Sequence, residues 1–235
     1  MKKLWMILLT AAVLVLSGCM YPDSERAGST IPYEEQLRAV QSAVDQYREK
    51  SGGLLPIKTR DQDVDAFIKY PIDFSKIVPA HLEKIPSNAY ETGGIYQYVI
   101  MDAEESPTVK LVDLNGPERI RELNLRKSVN GHVPIEEMLT KDVFLPNFSA
   151  MGLKEAPTVK SPYSDRELPI ILYSDGNFYI DYTADLHDVV AAGQADVKPG
   201  EDIRHILYDN NPVLPAYSLP YTVDGEGNVI FMTEN

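Results

Sequence analysis

Cysteine is almost missing from this sequence: Cys19 is the only one in 235 residues. The part of the chain beyond it can hold no disulfide, no thiolate zinc site and no cysteine nucleophile, so its stability has to come from a hydrophobic core. Positive charge is also short, with 22 Lys and Arg against 35 Asp and Glu and a net charge of −13. That balance argues against nucleic-acid partners, whose binding rests on cationic contacts to phosphate. Serine elbows, phosphate-cradling glycine loops, dinucleotide fingerprints and HExxH pairs are absent too. The longest apolar run, Leu4 to Leu16, is shorter than the roughly 20 residues that span a bilayer.

What is present begins at the N-terminus. Met1-Lys2-Lys3 is a short basic segment, Leu4 to Leu16 is interrupted only by Thr10, and Ser17-Gly18-Cys19 follows at once. This is the layout of a secretory signal peptide. Leu16-Ser17-Gly18-Cys19 resembles the bacterial lipobox, which implies cleavage before Cys19 and a diacylglycerol on its thiol. Two acyl chains hold a protein on a membrane where one does so only marginally. The resemblance thus implies a lipid-anchored protein on the outer face of the bacterial cytoplasmic membrane. Residues 1–18 are then the signal peptide and residues 19–31, polar and turn-rich, a tether.

The remainder reads as α+β. Tyr33, Leu37, Val40, Val44 and Tyr47 fall on one face of a helix over 32–50, with Glu34 and Glu35 expected in its first turn and Ser51-Gly52-Gly53 at its end. Residues 94–101 and 108–113 read as a hairpin, and 117–129 as a second helix. Asp175-Gly176 sits between two strand-like runs within Leu168–Tyr182, a strong hairpin signal, and a related pattern returns over Leu219–Met232. Between them lie helical candidates at 183–192 and 199–208. The expected fold is an N-terminal helix packed on antiparallel sheet, in two small lobes, 32–114 and 115–235, the second carrying two hairpins.

The order of helix, glycine-rich turn, Ile85-Pro86-Ser87-Asn88-Ala89-Tyr90 and tyrosine-rich strands resembles the globular part of type IV pilins and pseudopilins over Leu37–Pro56 and Phe74–Tyr98. It departs from them at the N-terminus, where a pilin retains a hydrophobic helix. The lipobox together with the Ser-Pro-Tyr and Asp-Gly segments resembles the small lipoproteins of Gram-positive spore formers, which brings a location but no activity.

Candidate chemistry is sparse. Asp61, Asp63 and Asp65 alternate like the start of a calcium loop, but Ala66 replaces the required glycine and Ile72 the closing glutamate. Asp224, Glu226 and Asn228 are explained by the turn at Gly225 and Gly227. His187 and His205 lack metal-site spacing. No metal, cofactor or catalytic residue is assigned. Between Tyr208 and Tyr221, Pro212, Pro215 and Pro220 stiffen a segment expected to be irregular, and Tyr208, Tyr217 and Tyr221 are read as an exposed surface for an envelope protein partner. The expectation is a non-catalytic binding or scaffold lipoprotein, the alternatives being the solute-binding component of an uptake transporter and an envelope hydrolase.

Overall fold

The computed structural model describes residues 30–58, 60, 64–193 and 195–232. The signal peptide, Cys19, most of the tether and the acidic residues Asp61 and Asp63 lie outside the described residues. The chain divides after Gln36, and the described residues from Leu37 onward form one compact unit.

Helix α1 (Thr30–Lys50) begins earlier than its apolar stripe requires, so Glu34 and Glu35 lie beyond its first turn. The stripe behaves as a core face, with Val40 and Val44 fully buried together with Ala43. Gln41 fixes the helix on the first sheet: its Nε2 donates to Pro107 O at 3.1 Å and its Oε1 accepts from Val109 N at 2.7 Å. Short 3-10 turns at Ala66–Ile68, Phe74–Lys76 and Tyr90–Thr92 follow. Strands β1 (Tyr96–Met101) and β2 (Thr108–Asp113) then pair antiparallel as the expected hairpin.

Helix α2 (Asn115–Asn130) starts two residues before Pro117, where Asp113 Oδ1 accepts from Asn115 N at 2.9 Å. It ends at Gly131 with φ +77°, a left-handed cap that glycine adopts without strain. The second sheet is built on β6 (Glu167–Tyr173), which pairs with β7 (Phe178–Ile180) across the expected Asp175-Gly176 turn. Strands β5 (Thr158–Lys160) and β4 (Val143–Pro146) also pair with β6, and β3 (Ile135–Met138) pairs with β4. The sequence reading contains no counterpart of β3, because Ile135-Glu136-Glu137-Met138 does not alternate. Helix α2 packs across β5 and β7.

Helix α3 (Thr183–Ala191) forms as expected, but 199–208 yields only the four-residue turn α4 (His205–Tyr208). Gly200 at φ +85° and an Asp202 side chain that caps Arg204 N at 3.1 Å break the longer helix. The second hairpin is β8 (Tyr221–Val223) with β9 (Val229–Phe231). The described strands pair with one another antiparallel, and the fold is α+β with the N-terminal helix preceding the sheets. No described helix is long and apolar enough to cross a membrane.

The proline-rich stretch is no loose loop. Leu111 N donates to Pro212 O at 2.9 Å and Leu214 N to Leu111 O at 2.8 Å, while Ile180 N donates to Tyr217 O at 2.8 Å. Residues 212–218 therefore bridge in parallel to both sheets, at Leu111 and at Ile180. Their apolar side chains follow: Leu214 and Ala216 join Phe67, Ile68, Val99 and Val112 in one buried cluster.

Candidate functional site

Of the three tyrosines expected on an exposed surface, Tyr221 is 0 % exposed, which removes it from any such surface. Its hydroxyl donates to Asp181 Oδ1 at 2.9 Å and accepts from Tyr182 N at 3.0 Å, and its ring packs on Phe231. Burial pushes this phenol well above its usual pKa. Tyr208 is half-buried, edge-on to Phe67 with ring centroids 5.7 Å apart, and the Lys110 ammonium lies over its ring. The backbone at both is tied down, Tyr208 O accepting from Lys110 Nζ at 2.6 Å and Tyr221 O from Ile203 N at 2.9 Å. Tyr217 alone of the three lines a cleft.

The cleft consists of three adjoining hollows. The first, of about 430 Å³, is lined by Tyr217, Arg60, Tyr90, Gln97, Arg121 and Asn124 among others. The second, of about 360 Å³, shares Tyr217, Ile68, Ile120 and Asn124 with it and adds Asp65, Asn177 and Tyr179. The third, of about 320 Å³, continues from Asp65 and Tyr179 to Arg204, Tyr173 and Pro220.

At the junction of the first two hollows Tyr217 adopts φ +56°, a left-handed conformation that costs a bulky residue of order 1–3 kcal/mol unless its surroundings impose it. The imposing group is Asp65. Its Oδ1 accepts from Phe67 N at 2.8 Å, capping the 3-10 turn, and its Oδ2 accepts from Tyr217 N at 2.9 Å. One carboxylate thus ties two segments 152 positions apart. Burial raises the Asp65 pKa above the usual 3.8, opposed by the two N–H donors and by the charge of Arg204. Arg204 is itself occupied, paired with Asp202, donating to Ser218 O at 3.0 Å and stacked on Phe67. Across the cleft, Tyr179 donates to Asp175 Oδ2 at 2.7 Å, and burial pushes its phenol up.

Sequence reasoning missed Asp65 as a latch, having read it as the end of an acidic turn. The one available signal is local: an aspartate two residues before the buried Phe67 is the pattern of a side-chain cap. A second buried arrangement also went unread. Asp185, 2 % exposed, accepts from Ser161 Oγ at 2.7 Å and Ser164 Oγ at 2.6 Å. Ser161 Oγ in turn accepts from the backbone N–H of Tyr163 and Ser164. The donors are consumed in shaping this turn, so it is a structural knot.

His187 is exposed on α3, and His205 Nδ1 lies 3.1 Å from Asp202 O. Among the described residues no group of three His, Cys, Asp or Glu side chains converges on a point that could hold a metal ion. Asp224 closes its own turn, accepting from Glu226 N and Asn228 N.

No curated protein and no solved structure matches the chain. Asp65 and Tyr217 nonetheless fall on opposite sides of a boundary that comparison draws. Residues 33–113, less than half of the chain and including most of α1, the Asp65 cap and the β1–β2 hairpin, are similar to the YphF family N-terminal domain.

Proposed function

We propose that this chain is a non-catalytic binding or scaffold lipoprotein, held through diacylglycerol on Cys19 at the outer face of a bacterial cytoplasmic membrane. The anchor rests on Leu16-Ser17-Gly18-Cys19 after a basic start and a short apolar run. The binding role rests on one observation: Tyr217, strained and latched by Asp65, stands where the first two hollows meet. Strain of this kind is maintained by surrounding structure and clusters at ligand clamps. The hollows have the size of small-molecule sites and combine aromatic faces with a few polar groups. The same sizes support the alternative, solute capture for an uptake transporter.

Two measurements test the reading. Labelled fatty acid and membrane fractionation should show Cys19→Ser unlabelled and released or unprocessed; a mutant that stays labelled and membrane-bound would remove the anchor. For the cleft, ligand-observed NMR against a panel of sugars, short peptides and anions should yield hits that Asn124→Ala, an exposed lining change, weakens. Binding of none of them, or hits indifferent to every lining substitution, would remove the binding role.

A further inference from the structure

Exposed apolar side chains are concentrated away from the cleft. Leu125, Val129, Ile135, Met138 and Leu139 are all exposed, and all fall within fifteen consecutive positions running from the end of α2 through β3. Strand β3 is the edge of its sheet. It pairs with β4 on one side, no described strand lies on the other, and all four of its residues are exposed.

The register shows what that free side offers. Leu139 N donates to Val143 O at 2.9 Å, and Met138 lies opposite Phe144 in the same register. Hydrogen-bonding direction alternates along an antiparallel strand, so the N–H and C=O of Met138 point away from β4. A bulge between Ile135 and Glu137 interrupts the pairing one step further on. An edge with outward backbone groups and apolar side chains is a template for another strand.

Charge selects the occupant. Glu136 and Glu137 are exposed, and neither has an ion-pair partner among the described residues. A second copy added antiparallel about the strand centre would set these glutamates against one another, and like charges directly opposite destabilise a sheet. An added strand that alternates apolar residues with Lys or Arg meets the same edge with opposite charge.

We propose that β3 is the docking edge for an extended, basic segment of a partner protein, which adds to the sheet as a further strand. The proposal is independent of the cleft. The probe is a blocked hexapeptide alternating lysine and valine, with a glutamate–valine peptide as its counterpart, added to the full chain in detergent. The readout is hydrogen exchange of the β3 amides.

The lysine peptide should slow exchange over residues 135–138 severalfold, less so in high salt, and the glutamate peptide should not. Glu136→Lys with Glu137→Lys, both at exposed positions, should reverse that preference. Met138→Pro should abolish protection while leaving the melt close to wild type, because proline removes an outward donor and is tolerated on edge strands. Equal protection by both peptides, or by neither, overturns the proposal. Protection that grows with protein concentration in the absence of peptide overturns it in favour of a second copy.

Discussion

Asp65 and Tyr217 form a pair whose chemistry can be titrated. Because burial raises the Asp65 pKa, the folded chain holds this proton to higher pH than the unfolded chain does. Its contribution to stability is therefore full below the unfolded value and is lost as pH rises through the folded one. Asp65→Asn has no such proton. The melting temperature of wild type relative to this variant should thus rise as pH falls from 7 towards 4, and a constant difference would contradict the assignment. Tyr217 gives a second measurement. Its ring packs partly against two buried clusters, so Tyr217→Ala should cost about 1–3 kcal/mol, below the roughly 3–5 kcal/mol of a fully buried aromatic. Denaturant unfolding that shifts by less than about 0.5 kcal/mol would place the ring in solvent. Tyr221→Phe should cost a comparable amount, about 1–3 kcal/mol, since Asp181 and Tyr182 N each lose a buried partner.

Between β1 and the 3-10 turn before it, Gly94 admits no side chain. A Cβ there would lie 2.1 Å from the backbone C and O of Asn88, whose carbonyl accepts from Tyr96 N and whose Oδ1 accepts from Tyr98 OH. Gly94→Ala should therefore cost more than about 3 kcal/mol, measured by denaturant unfolding, because backbone must move to make room. A near-neutral result would mean that the turn is built differently. Such elements differ in how much of themselves they write locally. Helix α1 and the hairpins at Asp175-Gly176 and Asp224 to Gly227 are legible because periodicity and turn residues act within a few positions. The 199–208 helix failed because a glycine with positive φ and an aspartate cap outweighed its composition. Strand β3 was illegible because its place is set by pairing with β4, which leaves no pattern within its own four residues. The cleft was hidden for the same reason, since Asp65 meets Tyr217 only through tertiary structure.

For the molecule as a whole, no intrachain disulfide contributes to stability, because no second cysteine exists to pair with Cys19. Thermal melts of the full chain should superimpose with and without reductant. Cooperativity should instead depend on the C-terminal stretch. Residues 212–218 bond to β2 and to β7 and carry Leu214 and Ala216 into a cluster with Phe67, Val99 and Val112. A chain ending at residue 210 should lose the cooperative transition of the β1–β2 region as well as of the second sheet, as followed by circular dichroism and amide exchange. Retention of protected β1 and β2 amides would show that the first sheet stands without its late partner.

That late partner also sets a clock. Leu111 waits for Pro212 and Leu214, roughly a hundred residues further along, and at about 5–20 residues per second the interval is of order 5–20 s. Until then the first sheet lacks a neighbour for β2 and part of the apolar cluster beneath it. If the chain is exported to the outer face of the membrane, as proposed above, this delay leaves β2 without that neighbour until residues 212–214 have been added.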